Sequence, residues 1–285
     1  MRDRIKAASQ RIDGLLETHD NEVLSRELPQ FLQLFVDAGE RLAVQGGGNA
    51  NDFLLLAIFA NKLGTGLLSL GRYDDAANLH QIALDYVAPR LGEGHIETIR
   101  IRQNLAIDFY NLGRYKESLE LNARTVKIAT DSLGEAHRET LKSRLNLAGD
   151  YFALGRYDEA LPLAEDTLKT MDFFLGQTDT ETLLARNNLA ALYNATDRFE
   201  NAARLLVGTI KILEVEFGQD HPDAIQARRN LALTYYRLER FADARTQAEL
   251  TLDRSARVFG AGHPDTQTAR SLLDLIEKGV AESRS

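Results

Sequence analysis

The chain has no cysteine and no tryptophan among its 285 residues. Disulfides, thiol catalysis and cysteine-ligated zinc are therefore excluded. Proline is scarce, with 5 residues, so little interrupts a helix, and the good helix formers Leu, Ala, Arg and Glu are plentiful. Long apolar runs are missing too. The longest candidate, Phe53 to Leu70, is broken by Asn61, Lys62 and Gly64, short of the roughly 20 apolar residues that span a bilayer. The first residues, Met1-Arg2-Asp3-Arg4-Ile5-Lys6, are charged with no apolar run behind them. They do not read as a signal peptide, and a cytoplasmic location is expected. An excess of positive charge is absent: the net charge is −8, against a nucleic-acid partner, which requires a basic face.

Catalytic motifs are also missing. There is no Gly-x-x-x-x-Gly-Lys-Ser/Thr loop, no His-Glu-x-x-His and no Gly-x-Ser-x-Gly. Gly46-Gly47-Gly48 lacks a following Lys and reads as a linker. The expectation is a protein that is not an enzyme and needs no cofactor or metal.

What is present is a repeat. Leu70-Gly71-Arg72-Tyr73 returns as Leu112-Gly113-Arg114-Tyr115 and Leu154-Gly155-Arg156-Tyr157. Weaker copies follow at Thr196-Asp197-Arg198-Phe199 and Leu238-Glu239-Arg240-Phe241. The second positions are 71, 113, 155, 197 and 239, a constant step of 42. A second marker keeps the same step: Gly92, Gly134, Gly176, Gly218 and Gly260, each three residues before His95, His137, Asp179, His221 or His263. Two independent markers with one period over five copies define a repeat array.

Between the markers the apolar spacing is helical. Leu105-Ala106 with Phe109 recurs as Leu147-Ala148 with Tyr151, Leu189-Ala190 with Tyr193 and Leu231-Ala232 with Tyr235, a stripe at i, i+1, i+4. A second helix opens at each Tyr or Phe of the first marker and carries a small residue three positions later: Ala76, Ser118, Ala160, Ala202 and Ala244. Gly71, Gly113 and Gly155 suit the left-handed position that ends a helix. Asp197 takes that conformation at some cost and Glu239 least willingly, so the fifth turn is expected to be strained or differently built. Four histidines one repeat apart are too distant for one ion at the 8–10 Å spacing of packed helices. They read as loop-closing residues.

This pattern resembles the tetratricopeptide repeat, in the 42-residue form of the kinesin-light-chain type. It is carried by Asn187-Asn188-Leu189-Ala190, Gly155-Arg156-Tyr157, Glu159-Ala160-Leu161-Pro162-Leu163 and Phe217-Gly218-Gln219-Asp220-His221-Pro222. The Arg-x-Asn-Leu-Ala form is similar to bacterial copies of the unit, which often accompany nucleotide-dependent signalling ATPases. The resemblance covers about residues 52 to 282 and implies an all-α fold, a right-handed α-solenoid of helix-turn-helix repeats. The expected organisation is an N-terminal helical cap, a degenerate repeat, over 1–50, five complete repeats over 51–264 and a closing helix and tail over 265–285. Residues 2–18 and 22–45 read as two helices, Gln45 to Asn49 as a joint, and Thr266 to Lys278 as the last helix. An initial Met and a cap at each end suggest a free-standing protein.

The resemblance also implies a function, the binding of an extended protein or peptide segment in a concave groove. Asn104, Asn146, Asn188 and Asn230 sit one per repeat at the position where related proteins hold a peptide backbone. An amide offers both a donor and an acceptor and so reads a peptide group regardless of side chain. Arg100 and Lys142, one turn earlier, are expected to make one end of the groove basic and to favour an acidic ligand or a free C-terminus. Gln103, Asn187, Asn194, Arg229 and Arg237 complete the candidate set. A further ladder, Arg102, Arg144, Arg186, Arg228 and Arg270, reads as structural, with stems packed between repeats and guanidiniums paired with acids. The alternatives are a regulatory or sensor module of a signalling ATPase and a self-associating scaffold, a homo-oligomer. Nucleic acid and membrane partners are not expected.

Overall fold

A computed structural model describes residues 1–44 and 48–282. Among them there are thirteen α-helices and no strand: α1 (Arg2–Glu17), α2 (Asn21–Val44), α3 (Ala50–Ser69), α4 (Tyr73–Leu91), α5 (Ile96–Asn111), α6 (Tyr115–Leu133), α7 (Arg138–Ala153), α8 (Tyr157–Phe174), α9 (Thr180–Ala195), α10 (Phe199–Phe217), α11 (Pro222–Arg237), α12 (Phe241–Phe259) and α13 (Pro264–Glu282). The fold is an all-helical repeat solenoid. Gln45, Gly46 and Gly47 of the expected joint lie outside the described residues.

The helices fall into two compact units, Met1–Gly155 and Arg156–Ser285. In the first, α1 to α5 close over Ile12, Leu28, Phe35, Phe53, Phe59 and Leu63. By length and composition α3 is apolar enough to cross a membrane, but Phe53, Leu56, Phe59, Leu63 and Leu67 are all buried in this core. It is the central helix of a packed domain. In the second unit Leu183, Leu206, Ile210, Leu213 and Leu231 form one cluster, and Ala232, Ala244, Ala248 and Ile276 another. The small residues Ala76, Ser118, Ala160, Ala202 and Ala244 are fully buried, where two helix backbones approach too closely for a larger side chain.

The two turns are built differently. In the first, Arg72 N donates to Leu67 O at 2.9 Å and Gly71 N to Leu68 O at 3.0 Å, the paired closure of a Schellman motif. Arg240 N to Tyr235 O at 2.9 Å and Glu239 N to Tyr236 O at 3.0 Å repeat it. The fifth turn is thus constructed like the others, and Glu239 holds φ 57°, as Asp197 holds φ 55°. The strain expected there sits in one backbone angle. The second turn is stricter: Gly92, Gly134, Gly218 and Gly260 have φ from 90° to 93° with ψ from 154° to 162°. That region is essentially closed to any residue with a Cβ. This explains why the first marker drifts to Asp and Glu while the second keeps glycine in all five copies.

The histidines are N-caps. The Nδ1 atoms of His95, His137, His221 and His263 accept from the backbone N–H of Glu97, Glu139, Asp223 and Asp265 at 3.1–3.3 Å. Asp179 Oδ1 accepts from Glu181 N at 3.0 Å in the same way. Asp replaces His in the third copy because both offer an acceptor two residues before a free helix N–H.

Candidate functional site

The first helix of each repeat carries a solvent-facing stripe beside its buried one. On α9 this is Leu184, Asn188, Ala191 and Ala195, and on α11 Gln226, Asn230, Leu233 and Arg237, steps of three and four that trace one helix face. On α5 and α7 the same positions, Arg100 and Asn104, then Lys142 and Asn146, are half-buried. The asparagines therefore line accessible faces, and their hydrogen bonds distinguish them.

In the first unit Asn104 is committed. Its Nδ2 donates to Asn61 Oδ1 at 2.9 Å, and Asn61 Nδ2 donates to Glu97 Oε2 at 3.2 Å. Asn61 and Asn104 thus tie α3 to α5. Asn146 of α7 makes no such side-chain bond among the described residues, nor do Asn188 and Asn230 in the second unit. A partly exposed amide with its donors and acceptor unspent is what backbone recognition requires.

The expectation that Arg100 makes the groove basic is corrected by its surroundings. Arg100 bonds Glu97 at 2.7 Å and Glu139 at 2.8 Å, so two carboxylates already answer its charge. Burial depresses its pKa, but the bonds from Glu139 and Glu97 outweigh that and leave it raised. Lys142 also has a partner. Gln103 is buried, and its Nε2 donates to Glu139 O and Ser143 Oγ, each at 2.8 Å. It staples α5 to α7 and is closed to a ligand.

In the second unit Asn194 Nδ2 donates to Thr234 Oγ1 at 3.0 Å and Thr234 Oγ1 to Asn194 Oδ1 at 3.2 Å, joining α9 to α11. Arg229 lies 3.6 Å from Asp265. Asn187 has a buried Oδ1 without a hydrogen-bond partner. Arg237 is exposed, its guanidinium 5.8 Å from the Phe199 ring centroid. Of the eleven candidates, Gln103, Asn104, Arg100 and Asn194 hold the repeats together. Asn146, Asn188, Asn230, Arg229 and Arg237 remain at the surface.

The arginine ladder has the structural partners expected of it. Arg102 is buried and bonds Glu93 through both the backbone oxygen, at 3.0 Å, and the carboxylate. Burial first, then the nearby Arg124, lowers its pKa to about 10. Arg186 bonds Asp172 at 2.7 Å, and Arg228 bonds Glu214 at 2.5 Å. Arg254, from the other helix class, reaches the same Glu214 at 2.6 Å. Arg144 also has a partner, while Arg270 is exposed. Sequence reasoning missed Glu214 as a shared acid, although it stands one 42-residue step after Asp172.

Among the described residues no group of three or more His, Asp or Glu side chains is arranged to hold a metal ion. No curated protein matches the chain. Among solved structures, BtubC (BKLC) from P. vanneervenii is similar, with a TM-score of 0.71 at 21 % identity over 85 % of this chain and 94 % of that one. A Podosopora anserina putative kinesin light chain with nearly identical TPR-like repeats has a TM-score of 0.60 at 23 % identity, covering 70 % and 94 %. The apo form of the quorum sensor NprR from B. thuringiensis has a TM-score of 0.63 at 16 % identity, covering 94 % and 67 %. The tetratricopeptide repeat profile matches residues 55–131, 104–172 and 181–257. With most of its length matched, the chain belongs to the tetratricopeptide repeat family, protein-interaction modules, and its fold is similar to that of the kinesin-light-chain-like structures.

Proposed function

We propose that the chain is a non-enzymatic adaptor that binds an extended polypeptide segment along the exposed stripe of α9 and α11 in its second unit. The observation that carries this is the division within the asparagine ladder. In the first unit Asn104 is spent on Asn61, while in the second Asn188 and Asn230 stand on accessible faces with unspent amides. In the second unit Leu184 and Leu233 are exposed beside Asn188 and Asn230 and supply apolar contact. Arg237, exposed and in no ion pair among the described residues, gives α11 a cationic end suited to an acidic side chain or a free C-terminus. The basic end of the site is thus assigned to α11 rather than to Arg100 and Lys142.

The test is peptide-display selection on wild type and on an Asn188→Ala/Asn230→Ala variant of equal helicity. Each amide is expected to contribute on the order of 1 kcal/mol, so the double variant loses most enriched peptides. Enrichment that survives both changes overturns the proposal.

A further inference from the structure

The second-helix faces of the repeats carry a different surface. Three crevices recur there in one register. The first, about 690 Å³, is lined by Asp85, Glu93, Arg102, Glu117, Glu120 and Arg124, with others. The second, about 570 Å³ between α8 and α10, includes Lys169, Asp172, Arg186, Tyr193 and Arg204. The third, about 550 Å³ between α10 and α12, includes Val207, Lys211, Glu214, Val215 and Arg228. Each has one arginine of the buried ladder in its wall.

The rims differ in chemistry. Asp85 and Glu120 on the first crevice are replaced, two repeats on, by Lys169 and Arg204 on the second. Lys211 holds the Lys169 position on the third. Lys169, Arg204 and Lys211 are exposed and make no ion pair among the described residues. The wall arginines are alike and are spent on the scaffold: Arg102 is answered by Glu93, Arg186 by Asp172, and Arg228 by Glu214 and Gln247.

Apolar side chains stand out beside these cations. Phe173, next to the crevice residue Asp172, is 81 % exposed and Val215 is 74 % exposed; Val207 and Phe174 are exposed as well. One step of 42 earlier Phe173 corresponds to Asp131, and one step after Val215 stands Arg257. The most exposed apolar side chains lie on α8 and α10, while Ile82 of α4 and Val258 of α12 are less so, at 40 % and 39 %. On α10 Arg204, Val207, Lys211 and Val215 follow at steps of three and four, one helix face. Exposed apolar side chains interleaved with unpaired cations call for a partner of the opposite pattern.

We infer that the α8–α10–α12 face of the second unit is a docking surface for an amphipathic polypeptide segment carrying acidic and apolar residues. Its carboxylates meet Lys169, Arg204 and Lys211, and its apolar side chains cover Phe173, Val207 and Val215. A polypeptide fits better than an anionic membrane because the cationic strip is narrow: one step of 42 after Lys211 the α12 position is held by the exposed Asp253. This surface is separate from the asparagine stripe, so one chain joins two partners.

The experiment displays peptides of about 16 residues, with apolar positions fixed and polar positions drawn from Glu, Gln and Lys. They are selected on the full chain and on its Lys169→Glu/Arg204→Glu/Lys211→Glu variant. All three side chains are exposed, and circular dichroism verifies equal folding. Enriched peptides should be acidic, bind the variant about tenfold or more weakly, weaken with salt, and bind the Asn188→Ala/Asn230→Ala variant unchanged. Phe173→Ser should weaken them as well. The inference is overturned if no acidic peptide is enriched, if enriched peptides bind the charge-reversed variant equally, or if the chain instead co-sediments with phosphatidylserine vesicles through Lys169 and Lys211.

Discussion

His80 and Asp108 are joined through Nδ1 and Oδ2 at 2.6 Å, and both side chains are fully buried. Gly64 makes the space, since a Cβ there would collide with the His80 ring. One repeat later Asn122 Nδ2 donates to Asp150 Oδ2 at 2.7 Å, again in the core. The steps of 42 continue to Ala164 with Leu192 and to Leu206 with Thr234. The first unit therefore places a polar pair where the second places mostly apolar contacts. Each polar pair leaves atoms unsatisfied: His80 Nε2, Asp108 Oδ1, Asn122 Oδ1 and Asp150 Oδ1. Such orphaned atoms cost stability.

Asp150 yields a prediction about pH. Burial raises its pKa from 3.8 to about 6, against the opposing bonds from Ser118 and Asn122. Between those values the folded chain holds a proton that the unfolded chain has released, so this group destabilises the fold as pH rises through that window. Asp150→Asn removes the ionisation and lets two facing amides pair reciprocally. It should stabilise by about 1–2 kcal/mol near neutral pH, with the gain vanishing near pH 4. Urea melts of both proteins at the two pH values measure this. An equal gain at both, or a loss at neutral pH, contradicts the assignment.

The turns make a paired prediction. Gly134 occupies the glycine-only region, with φ 92° and ψ 160°, whereas Gly113 has the left-handed φ of 73° that Glu239 also tolerates. Gly134→Ala should cost about 2–3 kcal/mol and Gly113→Ala about 1 kcal/mol. Conversely, Glu239→Gly should gain up to about 1 kcal/mol, less the entropy it adds to the unfolded chain. Thermal melts of the three variants give the order directly, and equal costs at Gly113 and Gly134 would refute it.

Glu214 is the most heavily used acid in the second unit. Burial raises its pKa, yet the bonds from Arg228 and Arg254 more than compensate, and the net shift is downward. Glu214→Ala leaves two largely buried guanidiniums without their shared carboxylate and should cost about 3 kcal/mol. Exposed pairs such as Arg245–Glu249 should be worth under about 1 kcal/mol by the same measurement. A Glu214→Ala cost no larger than that of Glu249→Ala would show that solvent reaches Arg228 and Arg254.

Much of this was legible in the sequence. Two markers with one period establish helix number, order and turn positions because each repeat solves the same local problem. The helix boundaries and the cap role of the histidine position follow from local rules: glycine past a helix end, an acceptor before a helix start. The interrepeat partners were not legible. Gln103 meets Ser143, Arg100 meets Glu139 and Arg186 meets Asp172 because of how helices stack, and periodicity gives register without rotation. That is why Arg100 and Gln103, two residues of good binding chemistry, turn out to be spent on the scaffold. A search along the 42-residue step for positions that are polar in both copies would have found His80 with Asp108 and Asn122 with Asp150.

The asparagine ladder offers the sharpest separation of scaffold from site. Asn104 donates to Asn61, which in turn holds Glu97. Asn104→Ala removes one link and leaves Asn61 Oδ1 without that donor. It should lower stability by about 1 kcal/mol while leaving ligand affinity unchanged. Asn230 has no comparable bond to lose, so Asn230→Ala should melt with the wild type yet bind about five- to tenfold more weakly, the scale of one hydrogen bond to a ligand. Isothermal titration with an enriched peptide, alongside thermal melts, assigns each asparagine to one class. Should Asn104→Ala weaken binding as much as Asn230→Ala does, the ligand competes with Asn61 for the same amide. The site would then extend onto α5, and Asn61→Ala, by freeing Asn104, would be expected to tighten binding.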